Sequence, residues 1–327
     1  MADAKLSALS AVSVPDLADL AYLVDVSDTT DDAAGSSRQV ALYRLLALLN
    51  HTCCGRLTTE SGVAVSTSDR TAQSTLYFTP YNGNLVALYD GTRWKLYTFT
   101  ERSLALSGLT SGLNYDVFLY DNAGTLTLEL LAWTNDTTRA TALALQDGVH
   151  VKTGATTRRY VGTIRTTSTT TTEDSQTKRF VFNATNRVRR KLQKTDTTSS
   201  WTYNSTTIHQ ARGQAANQVE LVAGLAVGLL DLQVGQTTQS ATTAVLQAGI
   251  GEDSTTALSA DCAAGNYPAY ASVATTGASH NTLRKTVAVG YHYYPWLEVC
   301  SLAATCTAYG DDASSLRRCG LIGTWEC

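Results

Sequence analysis

The chain has 327 residues and a formal net charge of −3, with 16% charged side chains against 43% hydrophobic ones. That balance argues against a chain whose main task is to track nucleic-acid phosphates, which needs a clear basic surplus. Its length admits two domains, or one large β-domain with an extension.

Much of the uncharged remainder is Thr, Ser, Asn, Gly and Ala. Threonine is β-branched and suits a pleated, half-wetted surface, so the composition leans all-β. Met1-Ala2-Asp3-Ala4-Lys5 leads into no apolar stretch of the kind a secretory signal needs. The longest apolar run, residues 219–232, is broken by Glu220, Asp231 and glycines, so no membrane insertion is expected. Synthesis in a cytoplasm is the expectation.

Residues 1–52 read as an extended arm. Lys5-Leu6-Ser7-Ala8-Leu9, then Leu20-Ala21-Tyr22-Leu23-Val24-Asp25-Val26, then Val40-Ala41-Leu42-Tyr43-Arg44-Leu45-Leu46 are apolar strips between acidic and small-residue spacers. They carry too little surface for a core of their own, and suit a segment completed by another subunit. Leu20, Leu23, Val24, Val26, Leu42, Leu45 and Leu46 are the partner-binding candidates. Residues 28–37 have turn chemistry, and residues 42–49 are the best helix candidate. Fully extended, the arm would reach roughly 150 Å at about 3.3 Å per residue.

Residues 53–165 read as a first β-domain. Leu85-Val86-Ala87-Leu88-Tyr89 and Arg93-Trp94-Lys95-Leu96-Tyr97 flank Asp90-Gly91, the strongest hairpin signal in the chain. A second hairpin is expected around Asp121-Asn122-Ala123-Gly124, and a single helical turn over residues 139–145. Strands about ten residues apart with turns between them indicate a sandwich or barrel. Residues 166–178 look like a Thr-rich linker, a long exposed loop or a domain boundary. Residues 179–327 are expected to form a second antiparallel β-domain of sandwich or jelly-roll type, with strands that include 220–227, 244–250, 270–275 and 285–294.

No motif asks for catalysis or a cofactor, and no enzyme activity is expected. Gly249-Ile250-Gly251 lacks the third glycine and lysine of a phosphate loop. There is no Gly-x-Ser-x-Gly elbow, and His51, His150, His209, His280 and His292 are scattered. Glu173-Asp174, Glu252-Asp253 and Asp311-Asp312 are adjacent pairs whose side chains point to opposite faces of an extended backbone. One pair therefore cannot flank a glycosidic bond. The densest positive run is Arg187, Arg189, Arg190, Lys191 and Lys194. Val188 and Leu192 are expected to face inward there, with the arginines outward, either simply solvated or drawn to an acidic neighbour.

Tyr291, Tyr293, Tyr294 and Trp296 form an aromatic block that suits a core, an interface or a sugar face. On a strand, Tyr291 and Tyr293 share one face while His292 and Tyr294 share the other. Seven cysteines are present, and none has partners at metal spacing. Cys300 and Cys306 can meet across a hairpin, and Cys319 and Cys327 close the terminal segment. These four are the disulfide candidates, with free buried thiols as the alternative.

The opening strips, together with Tyr81-Asn82-Gly83-Asn84 and Leu88-Tyr89-Asp90-Gly91-Thr92-Arg93-Trp94, Arg158-Arg159-Tyr160-Val161-Gly162-Thr163-Ile164-Arg165, residues 291–298 and Tyr309-Gly310-Asp311-Asp312, resemble tailed-bacteriophage fibre and appendage proteins of head or tail. The resemblance implies a non-enzymatic virion part that docks through its arm and displays β-domains outward. It further implies capsid, tail or neck subunits as partners, a homo-oligomer (a trimer) and a place in the virion. Host surface glycan is the alternative partner, and glycan hydrolysis a more distant reading. The cysteine-rich tail departs from that pattern.

Overall fold

Alternation of apolar and polar residues dictates the architecture, and Leu229–Ser240 shows it most plainly: Leu230, Leu232, Val234, Gln236, Thr238 and Ser240 all point inward. The computed structural model describes residues 20–26, 29–30, 33, 36–41, 49–240, 243–266, 276–311 and 317–327. They make an all-β protein. Among them no helix is long and apolar enough to cross a membrane.

In the arm, Leu20–Asp25 pairs antiparallel with Ser36–Ala41, Leu20 opposite Ala41 and Asp25 opposite Ser36. Ser36 and Ser37, the last residues of the expected polar spacer, open the second of these strands. This hairpin is a two-stranded sheet by itself, joined to no other strand among the described residues. Leu42, Leu45, Leu46 and all but the last residue of the helix expected over 42–49 lie outside the described residues, as does the strand expected at 270–275.

The first half of the body packs three sheets around one apolar cluster that includes Leu57, Phe78, Val117, Leu119 and Ile164. Its largest sheet runs Thr125–Ala132, Asn114–Asn122, Ala155–Arg165, Val149–Lys152, Leu143–Gln146 in spatial order. Both expected hairpins form, with Tyr89 opposite Trp94 and Asn122 opposite Thr125. Ala123 and Gly124 both take positive φ (50° and 92°), as a tight two-residue hairpin turn requires. The helical turn expected at 139–145 is instead the strand Leu143–Gln146. It turns at Asp147-Gly148 (φ 51° and 82°) to pair with Val149–Lys152. The Asp-Gly turn there closes a hairpin rather than a helical turn.

The second half is a sandwich of two seven-stranded sheets. One carries Gly290–Cys300 beside Gln218–Ala223, and the other carries Gly320–Glu326, Leu229–Ser240 and Thr276–Thr286. Leu221, Tyr294 and Trp296 from the first meet Leu230, Leu232, Leu283 and Trp325 from the second in one core. Lys178–Arg179 runs parallel to Gln218–Ala223, a departure from the otherwise antiparallel pairing.

The Thr-rich segment 166–178 is not an exposed linker. Thr166, Thr172, Asp174 and Ser175 are buried, and Thr172–Asp174 pairs with Arg70–Gln73 from the first half. Threonine density has a backbone purpose here: Thr166 Oγ1 donates to Thr110 O and Thr172 Oγ1 to Arg165 O, both at 2.6 Å. Next comes Val181–Asn183, paired with Ala155–Arg165. Its Val181 belongs to the first core and its Phe182 to the second. The halves are therefore interlocked. Arg56, 2% exposed, tightens the joint by donating to Ala64 O (3.1 Å), Asn186 O and Cys327 O (2.8 Å).

All seven cysteines are free thiols, so the candidate disulfides among Cys300, Cys306, Cys319 and Cys327 are not formed. Cys319 and Cys327 bracket the strand Gly320–Glu326, which holds them about 26 Å apart, far beyond bonding range. Cys300 and Cys306 share a small apolar cluster with Ala244, Leu246 and Ala308. Cys300 Sγ donates to Tyr203 O at 3.1 Å, and burial beside Cys306 pushes its thiol well up. Exchange and oxidation proceed through a thiolate, which this environment disfavours at Cys300.

Two outcomes follow. Arg56→Met strips donors from three carbonyls and should destabilise the protein by about 3 kcal/mol or more, read as a lower urea midpoint at unchanged slope. Thiol titration without reductant should count seven groups after unfolding; a count of five would mean that one pair had closed.

Candidate functional site

Four regions concentrate functional chemistry: the hairpin arm, the aromatic strand, the carboxylate clusters and the basic strand. The arm's strand Leu20–Asp25 holds Leu20, Leu23 and Val24, and Val26 follows at its exit, 76% exposed. An isolated two-stranded hairpin is marginal in water, and among the described residues its outer edges pair with no further strand. Its root is fixed. Arg159, 3% exposed, donates through Nη1 to Asn50 O (2.9 Å), Thr52 O (2.9 Å) and Ala87 O (2.8 Å), and through Nη2 to His51 O (3.0 Å). Where the arm ends, the body grips the chain by its main-chain oxygens.

The aromatic block divides between two faces. Tyr294 and Trp296 are fully buried; Tyr294 OH donates to Glu252 Oε1 at 3.3 Å, and Trp296 Nε1 to Gln236 Oε1 at 3.1 Å. Even-numbered positions of Gly290–Cys300 face the sandwich core, which withdraws both residues from any sugar or partner. Tyr291 and Tyr293 share the other face, half-buried, their ring centres 6.3 Å apart. The Arg165 guanidinium covers the Tyr291 ring at 3.6 Å, and Tyr291 OH donates to Glu220 Oε2 at 2.8 Å. Burial, then the Glu220 carboxylate, holds that phenol strongly in its neutral form.

The adjacent carboxylates diverge. Glu252 takes Lys285 Nζ on both oxygens at 2.8 Å, whereas Asp253 takes His292 Nδ1 at 2.7 Å and Tyr293 N at 3.0 Å. Glu173 accepts from Ser175 Oγ, while Asp174 pairs with Arg179 and Arg190. Asp311 pairs with Arg318 at 3.0 Å, and Asp312 lies outside the described residues.

A further acidic cluster has no signal in residue spacing, because its members come from separate strands and loops. Glu298, 1% exposed, accepts from Trp201 Nε1 (2.9 Å), Arg212 N (2.9 Å) and Gln236 Nε2 (3.3 Å), with His209 Nε2 at 2.9 Å. Beside it, Asp196 accepts from Arg212 Nε (2.7 Å), Asn217 Nδ2 (3.0 Å) and Thr198 N (3.0 Å). So many donors leave little capacity for proton transfer, and the cluster acts as a polar joint. Burial opposes ionisation of Asp196, but its hydrogen bonds from Asn217, Thr198 and Arg212 outweigh it and hold the carboxyl at about 2.

The basic run is not an outward-facing patch. Arg190 turns inward on the same side as Leu192, 7% exposed, and donates to Ser66 O at 2.9 Å. Strand alternation fixes this: Arg189 and Lys191 take the exposed face and Arg190 the buried one, where Asp174 compensates its charge. Arg187 is half-buried, donating to Ala184 O, and Lys194 is half-buried.

The Asp196 carboxyl is more acidic folded than unfolded, so its stabilisation is complete above the unfolded value and fades as pH falls through the folded one. The melting-temperature gap between the native chain and Asp196→Asn should be steady above about pH 5 and shrink from about pH 4 towards about pH 2. A gap that persists into that acid range would remove Asp196 from this account.

No protein-family model matches the chain, and no curated protein matches it. Among solved structures, it is similar to the insecticidal crystal protein Cry7Ca1 of Bacillus thuringiensis at 10% identity and a TM-score of 0.17, over 83% of this chain and 50% of that one. The chain thus spans about half the length of that protein. At this TM-score the likeness carries no inference about fold or role.

Proposed function

We propose that the chain is a non-enzymatic bacteriophage virion protein, a fibre or appendage of head or tail, that docks through its N-terminal arm and displays its β-body outward. One observation carries this reading: the hairpin Leu20–Asp25/Ser36–Ala41 stands apart from every body sheet among the described residues, with Val26 exposed at its turn. A marginal hairpin gains most when a partner covers it or adds a strand to its edge. Apolar contact of a few hundred Å2 yields several kcal/mol at about 25 cal/mol per Å2, before ordering costs. In the proposed homotrimer, three arms engaged together would make release rare. The partners would be capsid, tail or neck subunits, and the place of action the virion.

The body suits display. Its buried arginines and carboxylates are hydrogen-bonded within the chain, and its two halves share a strand. Glycan recognition by the aromatic strand is a second reading, and it rests on Tyr291 and Tyr293 alone.

Removing residues 1–48 spares the Asn50, His51 and Thr52 carbonyls that Arg159 holds, so the remaining body should stay folded. The truncated protein is expected to melt cooperatively near the full-length temperature, yet stay in the soluble fraction when particles are sedimented. Truncated protein that still sediments with particles would overturn the docking role.

A further inference from the structure

The seam between the two halves of the body leaves an open bowl of about 570 Å3 whose walls include Arg139, Leu143, Leu145, His150 and Leu225. Strand alternation aims these groups at one space. In the hairpin Leu143–Gln146/Val149–Lys152, Leu145 stands directly opposite His150, and Leu143 lies two residues before it on the same face. The hairpin's other face is filled, because Ala144, Val149 and Val151 pack with Ala87 and Trp94 in an apolar cluster. On the open side the His150 ring meets Tyr160 edge-on, with ring centres 6.4 Å apart. Gly224 of the second half sits against Tyr160 and Thr163 with no room for a Cβ, and Leu225 follows it. Leu145 remains 64% exposed, so neither half covers this part of the sheet.

The polar side of the bowl is made of nitrogen donors. Arg139 lies over the Tyr160 ring at 5.6 Å and gives Nε and Nη2 to Asp116 and Gly224 O. Its Nη1 enters none of these bonds and is not sealed from solvent, so two N–H groups stay open to the bowl. Neither ring nitrogen of His150 has a hydrogen-bond partner among the described residues, and neither is sealed. No carboxylate lines the bowl, since Asp116 is buried beneath Arg139. Asp116 offsets part of the guanidinium charge, which leaves apolar contact with the leucines as the larger share of any affinity.

The occupant's class follows from these two sides. An anionic oxygen pair suits the donors of Arg139 and His150, and guanidinium favours carboxylate in particular. An apolar body suits the three leucines. No Phe, Tyr or Trp lines the bowl, so a flat aromatic body has nothing to stack on and an aliphatic one fits better. The volume lies within the roughly 300–1,000 Å3 of small-ligand sites, which gather at seams of this kind. We propose that the bowl binds an aliphatic monocarboxylate, its carboxylate against Arg139 Nη1 and His150 and its chain along Leu143, Leu145 and Leu225.

The test is calorimetric titration of the full chain with octanoate, octanol, octylammonium and acetate, with the histidine ring protons followed by NMR. Octanoate should bind roughly tenfold tighter than each of the other three, and should move the ring-proton resonance of His150, identified by its loss in His150→Ala. Leu145→Asp places a like charge beside the carboxylate and should weaken octanoate about tenfold or more without lowering the melting temperature, while His150→Ala should weaken it about three- to tenfold. The site is overturned if octanoate binds no tighter than octanol or acetate, if the His150 resonance stays still, or if both variants bind like the native chain. Octylammonium that binds as tightly as octanoate would show adsorption without charge recognition, and would also overturn it. So would self-association of the native chain in sedimentation that Leu145→Asp abolishes, because a second copy would then fill the bowl. No particle enters these measurements, so their failure and that of the docking role are separate results.

Discussion

Buried guanidinium groups that collect main-chain oxygens hold this molecule together. Sheets that end in irregular loops leave carbonyls facing inward, where an unpaired acceptor is costly. Arginine answers several at once, because its planar fork carries five donors and its charge strengthens each bond. Arg56 gathers three carbonyls from distant parts of the chain, and Arg159 gathers four. Arg139 lies over the Trp133 ring at 4.5 Å, pairs with buried Asp116 at 2.6 Å and reaches Gly224 O at 2.5 Å. It thereby ties the first half of the body to the second. Burying such charges is unfavourable unless partners are complete, which is why each of these residues has several.

This device explains much of what was and was not legible in the sequence. Local chemistry was readable: Asp90-Gly91 and the Asp121 to Gly124 turn sit where hairpins form, since turn geometry is set by the residues in the turn. Asp147-Gly148 makes a turn of the same kind, where a helical turn was expected just upstream. Burial of charge was not readable. An arginine in a Thr-rich strand looks like a solvated residue, and only the folded chain shows that Arg190 turns in beside Leu192 while its neighbours turn out. The Thr-rich segment misled for a related reason, because the Thr166 hydroxyl serves the Thr110 carbonyl, which sequence order does not place nearby.

The candidate sites divide along the same line. The arm was expected to be separate because its apolar strips have no core, and among the described residues its hairpin joins no other sheet. The aromatic block was visible as a cluster, yet strand alternation sends Tyr294 and Trp296 into the core and leaves Tyr291 and Tyr293 outside. The Glu298 and Asp196 joint left no trace in the spacing, because Trp201, His209, Arg212, Asn217 and Gln236 come from separate segments. Convergence of that kind belongs to topology.

The short strand Val181–Asn183 has a consequence for how this lineage can vary. It gives Val181 to one apolar compartment and Phe182 to the other, with no spare residue between. Side chains on a strand change face at each step, so inserting or deleting one residue here would exchange the two deliveries and spoil both interiors together. Length variation is therefore tolerable in the outer turns and forbidden along this seam, which makes the body heritable only as a whole rather than as two exchangeable modules.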